Sequence, residues 1–354
     1  MPLNIPDYHK SLDTLHVGCE DPHAYFIPYA DAASAEKDNR AASPYFKSLC
    51  GTWDFRFYQN PIELPDFTAP DFDRADMEKL TVPMNWQMAL GRGYDVPNYT
   101  NIQYPYPVDP PHVPQKNPCG LYIRDFTWQE QPGRDVYMVF EGVDSCFYLF
   151  VNDRFAAYSQ VSHMTSEVRV TDFLRPGRNT VKVLVYKWCD GSYLEDQDMW
   201  RMSGIFREVY LLSREKKHIT DIYLHPTLSE DLSRGDLTVE LTNTAPLTVA
   251  YRLLAPDGAV LEEGRKKVGE TGELGFAPLA APALWSDERP TLYALELTVG
   301  SEVNRLPFGW RRFEVKGKVF LLNGQKIKAK GVNRHDSHPL LGHATPFDHM
   351  VEDI

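Results

Sequence analysis

Between about Ser43 and Leu212, apolar residues recur at every second position in short runs that turn residues interrupt. Asp135 to Phe140, Phe147 to Val151, and Thr180 to Trp188, with Val181, Val183 and Val185 on one face, read as strands by period and by β-branched content. Asn152-Asp153 and Pro176-Gly177 punctuate them. Many short strands at this spacing predict a β-sandwich or jelly roll over 43–213. A second strand-rich stretch follows over 214–311, where Leu237, Val239 and Leu241 alternate, Pro256-Asp257-Gly258 turns, and Leu292 to Val299 closes the unit. That pattern predicts an immunoglobulin-like sandwich. Residues 1–42 show no such period and are expected to form an extended segment.

After Arg311 the pattern changes. Val319 to Leu322, Asn323-Gly324 and Gln325 to Lys330 make a hairpin with an Asn-Gly turn. Gly331 to His335 extends from it, and Pro346 to Ile354 reads as the first turns of a helix. A strand followed by a helix opens an α/β unit, which residues 312–354 leave unfinished.

Two stretches break the alternation. Residues 93–120 carry seven prolines in 28 residues, which removes ladder donors and excludes a central strand. A loop so rich in Tyr and Pro has little freedom to lose on folding, so it is expected to be ordered against a neighbour and to serve a function. The run DGSYLEDQDMWRMSGIFR, Asp190 to Arg207, follows neither a helical nor a strand period. Glu195, Asp196 and Asp198 offer hard oxygen ligands or sugar-hydroxyl acceptors, while Tyr193 and Trp200 offer flat apolar faces.

Composition narrows the ligand class. The formal charge of −12 argues against a nucleic-acid footprint or an anionic membrane surface, both of which need a basic face. Small neutral or cationic ligands fit better. The five cysteines are scattered, odd in number and lack C-x-x-C spacing, so they read as reduced, mostly buried thiols. The N-terminus has no apolar signal region and no stretch approaches a membrane span, which points to the cytoplasm. His335, His338 and His343 form no zinc motif, because Pro339 and Gly342 between them preclude fixed one-face spacing.

Several segments in fixed order carry a family resemblance. They are HAYFIPY at 23–29, LCGTWDFRFY at 49–58, PMNWQM at 83–88, YTN at 99–101 with Tyr104-Pro105, LWS at 284–286 with PTLY at 290–293, and GVNRHDSHP at 331–339, together with the Asp190 to Arg207 run. The chain resembles the family 2 glycoside hydrolases, and within them the large cytoplasmic β-galactosidases, along nearly its whole length. Cys50 departs from the Asn common before Gly51 in the family, which touches a turn and no chemistry. The resemblance implies a mainly β chain: a jelly-roll β-sandwich, an immunoglobulin-like β-sandwich and the incomplete start of a (β/α)₈ barrel.

Its functional implication is retaining hydrolysis of terminal β-galactosides such as lactose by two barrel glutamates, supported by Mg²⁺ and Na⁺. Both glutamates and the Mg²⁺ ligands are expected beyond Ile354, so the chain alone is expected to be inactive. Asp198 is implied as a ligand of Na⁺ and of a galactose hydroxyl. Asn101 and His335 are implied as galactose contacts, the latter from the end of a barrel strand. Glu195, Asp196 and Trp200 are expected to support Asp198. The implied partners are the β-galactoside, the rest of the barrel with its C-terminal domains, and further copies in a homo-oligomer. Two rival readings are a stand-alone carbohydrate-binding module and a complementing fragment of a split enzyme.

Overall fold

The computed structural model describes residues 5–69, 71–101 and 103–354. It divides into two compact units, one comprising 1–22, 47–212 and 334–354, the other 23–46 and 213–333.

The first unit is an antiparallel sandwich, the jelly roll expected from the sequence. Its larger sheet has seven strands in the spatial order His16–Val17, Arg154–Ser159, Cys146–Val151, Gly177–Tyr186, Cys119–Trp128, Gly51–Tyr58 and Glu78–Val82. The facing sheet runs Ser166–Arg169, Arg134–Phe140, Val209–Glu215 and Phe46–Ser48. Pleating sends Val181, Val183 and Val185, with Phe147, Leu149 and Val151 from the neighbouring strand, into the core between the sheets. The predicted valine face therefore holds. Leu184 and Tyr186 on the opposite face are buried as well, with Cys146, Tyr148 and Phe150, beneath Ile5, Tyr8, Leu64 and Phe72. The central strands thus read as nearly continuous apolar runs because segments without regular period cover their outer side.

Turn chemistry fixes the register. Asn152 and Asp153 have φ of 49° and 66°, the left-handed pair that a two-residue hairpin turn demands between Cys146–Val151 and Arg154–Ser159. Gly204, at φ +116°, sits where a Cβ would come within 2.6 Å of the Tyr122 hydroxyl and 3.1 Å of the Met84 carbonyl. Only glycine permits that close approach.

The second unit contains two four-stranded antiparallel sheets. One pairs Ile219–Leu228, Arg234–Asn243 and Thr271–Gly275, with Leu279–Ala280 added to the middle strand. The other pairs Val260–Val268, Leu247–Leu254, Tyr293–Val299 and Glu302–Phe308. Leu237, Val239, Leu241, Val249, Leu295, Leu297 and Trp310 fill the space between them, as an immunoglobulin-like sandwich requires. Beyond it, Phe313–Lys316, Val319–Leu322 and Gln325–Lys326 form a three-stranded hairpin sheet. Asn323 and Gly324 turn it at φ 51° and 75°. A short helix, Phe347–Asp353, closes the chain in the first unit. Among the described residues, no helix is long and apolar enough to cross a membrane.

Burial of both faces of the larger sheet has a direct consequence. Leu184→Ala is expected to cost about 2–5 kcal/mol in denaturant-induced unfolding, as a core truncation does. A cost below about 1 kcal/mol contradicts the coverage of the outer face by residues 5–17 and 60–77.

Candidate functional site

The site begins where the strand Gly177–Tyr186 runs out of partners. Asn117 takes over: its side chain accepts from the Trp188 amide at 3.0 Å and donates to the Trp188 carbonyl at 2.8 Å, mimicking a further rung of the ladder. The chain then makes a 3₁₀ turn over Asp190–Tyr193 and passes through Asp196 and Asp198, both left-handed at φ 54° and 55°. It returns to extended form at Trp200–Arg201, which pairs antiparallel with Asn98–Tyr99 of the Pro-rich loop. Trp200 lies opposite Tyr99, and Arg201 opposite Asn98.

Side chains complete what this short ladder starts. The Arg201 guanidinium donates from Nε to Thr100 Oγ1, from Nη1 to the Ser192 carbonyl and from Nη2 to the Glu195 carbonyl, each at 2.9 Å. The buried Tyr193 hydroxyl donates to the His112 carbonyl at 2.6 Å and accepts from the Asp109 amide at 3.1 Å. Tyr104 donates to the Tyr193 carbonyl at 2.5 Å. Tyr106, Trp188 and Tyr193 pack edge to face, with centroids 5.0 and 5.4 Å apart. The loop expected to be ordered is ordered, and these are the groups that order it.

Asp198 projects from this frame and is exposed. Its Oδ1 accepts from the Tyr99 hydroxyl at 2.6 Å, and that hydrogen bond raises the Tyr99 phenol pKa and keeps it a donor. The Tyr99 and Trp200 rings meet edge to face at 5.4 Å. Asn101 lies two residues beyond Tyr99 and lines a cavity of about 200 Å³ with Thr100, Gln103, Tyr104, Gln197 and Arg201. The ladder therefore brings Tyr99, which binds Asp198, next to Thr100 and Asn101, which line the cavity; Asp198 itself is not among the lining residues.

Glu195 and Asp196 turn inward. Glu195 Oε1 accepts from the Ser162 amide at 2.9 Å. Asp196 is buried, as is Asp144 on a strand bridge 52 residues earlier in sequence. Each of the three carboxyls keeps one oxygen without a hydrogen bond. Burial, and then the neighbouring Glu195, pushes Asp196 up to about 7, while burial raises Glu195. Asp144 is pushed well up by burial, then by Asp196 and Glu195. Such raised carboxyls are not readable from the chain, because Asp144 is remote from Glu195 and Asp196 in sequence. None of the three lines the cavity, so this group braces the turn from below and does not face a ligand.

His335 is exposed on the segment 334–354, which packs within the same unit. It does not line the cavity. The segment is held through His343, whose amide donates to Asn85 Oδ1 at 2.7 Å and whose ring lies 5.8 Å from both His163 and Phe206. Burial lowers both His343 and His163 to about 4. His335 and the Trp200 backbone both act on the His343 ring, which ties the segment to the Asp190 to Arg207 run.

For a cation, Asp198 offers one carboxylate oxygen that Tyr99 leaves open. No group of three or more His, Cys, Asp or Glu gathers in metal-binding fashion among the described residues. A hard cation at Asp198 therefore fits only with main-chain, water or ligand oxygens completing its shell.

Comparison with known proteins agrees along the chain. The model of "Glycosyl hydrolases family 2, sugar binding domain" matches residues 46–215, that of "Glycosyl hydrolases family 2" matches 217–311, and that of the family's TIM barrel domain matches 313–354. A β-galactosidase of Actinobacillus pleuropneumoniae is 43% identical over 99% of this chain and 34% of its own length. One of Staphylococcus xylosus is 37% identical over 98% of this chain and 34% of its own. The chain thus spans about a third of these relatives. Among solved structures, Bacteroides uniformis β-glucuronidase 2 superposes with a TM-score of 0.71 at 20% identity, covering 87% of this chain and 37% of that one. A β-glycosidase from Bacteroides vulgatus gives 0.67 at 23%, covering 85% and 38%. At these identities the solved structures speak for the fold alone.

Two outcomes follow. Tyr193→Phe removes the hydroxyl that binds the Asp109 amide and the His112 carbonyl and is expected to cost about 0.5–1.5 kcal/mol, with faster hydrogen exchange over residues 104–113; unchanged exchange there contradicts the anchoring role. An unfolded histidine near 6.5 takes up its proton before His163 and His343 at about 4, so stability falls as pH drops from 6.5 toward 4. Thermal melts of His343→Gln should show a shallower decline across that window than the parent, and an equal decline contradicts the assignment.

Proposed function

The chain belongs to family 2 of the glycosyl hydrolases, and from that premise we propose that it is the N-terminal part of a retaining β-galactosidase acting on terminal β-galactosides such as lactose. One observation supports the reading: Trp200–Arg201 pairs with Asn98–Tyr99, two residues from Asp198 on one segment and from Asn101 on the other, in a chain 43% identical to a β-galactosidase. Asp198 orients a galactose hydroxyl and is the residue that would hold Na⁺. Asn101 donates to and accepts from the sugar. His335 reaches the sugar from the segment that His343 ties to the Asp190 to Arg207 run. A bound cation supplies fixed positive charge for orienting sugar oxygens; the chain's residues supply shape and hydrogen bonds.

Retaining hydrolysis requires two carboxyls about 5–5.5 Å apart across the scissile bond. Asp144, Glu195 and Asp196 have raised pKa values, yet none of them lines the cavity. We assign the catalytic glutamates, and the Mg²⁺ ligands, to sequence outside these 354 residues. All five cysteines are free, which supports a reducing, cytoplasmic setting.

A chimera tests the function. Replacing the matching third of the Actinobacillus pleuropneumoniae β-galactosidase with this chain is expected to give an enzyme that hydrolyses aryl β-galactosides. Asp198→Ala in that chimera is expected to lower kcat/KM by about 10- to 100-fold. A folded chimera that prefers an aryl β-glucuronide, or an Asp198→Ala variant of full activity, overturns the proposal.

A further inference from the structure

The cavity beside Asn101 contains two side chains that nothing so far assigns, Gln103 from the Pro-rich loop and Gln197 from the turn between Asp196 and Asp198. Its volume of about 200 Å³ far exceeds the roughly 10–15 Å³ that one ordered water needs, and is of the order that a single sugar ring fills. The lining chemistry is unusual in being dominated by neutral amides. Asn101, Gln103 and Gln197 form no side-chain hydrogen bond with the described residues, so each keeps a full set of two donors and a carbonyl acceptor. Such amides match adjacent hydroxyls, each of which must both donate and accept.

The rest of the lining is rigid. Tyr104 is fixed by its hydrogen bond to the Tyr193 carbonyl and lines the cavity. The cavity's cation, Arg201, already donates inward from all three nitrogens and lies 5.7 Å from the Tyr104 ring centroid. It is a strut and not a free partner for an anion. Asp198, one residue from Gln197, adds negative charge that disfavours an anionic ligand further.

We propose that Gln103 and Gln197 are specificity-determining residues that, with Asn101, form an amide cradle reading the hydroxyls of a neutral sugar ring and discriminating against a uronate. This rests on the reading of the cavity as part of a galactoside site. Gln103 and Gln197 contact the sugar from opposite sides of the ladder, since one belongs to each strand's flank. Loss of either amide removes ordinary neutral hydrogen bonds, so each contributes a modest factor in affinity and none in folding.

Side-chain amide resonances of the ¹⁵N-labelled 354-residue chain provide the test, titrated with methyl β-galactoside and, separately, methyl β-glucuronide. The expected result is that the Asn101, Gln103 and Gln197 amides shift together with the galactoside and respond far less to the glucuronide. Gln103→Ala and Gln197→Ala should each weaken galactoside binding about three- to tenfold with unchanged melting temperature. Shifts at Asn101 without shifts at Gln103 and Gln197 overturn the cradle and leave the galactoside site standing. An equal response to the glucuronide overturns the discrimination. No shift at any of the three amides overturns both the cradle and the site.

Discussion

Arg201 carries the constraint on which the site depends. A loop with seven prolines cannot supply a regular ladder, and a run containing four acids cannot supply an apolar face, so neither segment folds alone. The guanidinium joins them by offering donors in three directions, to Thr100 on one segment and to the Ser192 and Glu195 carbonyls on the other. Lysine has one charged nitrogen and cannot span the same acceptors. The two-residue ladder beside it then fixes the register of the two segments, with Trp200 opposite Tyr99 and Arg201 opposite Asn98.

The acids in this run divide their roles through burial. Asp198 stays in solvent with Tyr99 as its donor. Glu195 and Asp196 lie beneath with Asp144, where desolvation and mutual repulsion favour protonated forms. Ionised together they would repel and loosen the turn; protonated, they pack. One acidic stretch thereby yields an exposed charge on a rigid base.

Much of the fold was legible from alternation. The valine face of Gly177–Tyr186, the hairpin turns at Asn152-Asp153 and Asn323-Gly324, and the helical end of the chain all follow from local rules. The second buried face of the central strands did not, since its cover comes from segments without period, such as Ile5 and Tyr8. At the site, composition marked the Asp190 to Arg207 run and the Pro-rich loop, and the pairing of the two is what makes Asn101 a neighbour of Gln197. Gln103 and Gln197 carried no signal of their own, because a glutamine in a loop is ordinarily solvated. Asp144 was invisible for a different reason: a lone acid after a strand becomes unusual only once its buried neighbours are known.

The proposed function requires that the short ladder between Asn98–Tyr99 and Trp200–Arg201 bring Asn101 and Asp198 to one sugar. Diffraction from crystals of the chain soaked in methyl β-galactoside tests this most directly. The expected density is one pyranose ring within hydrogen-bonding distance of both Asn101 and Asp198. A ring bound elsewhere on the surface, with that site empty at saturating sugar, contradicts it.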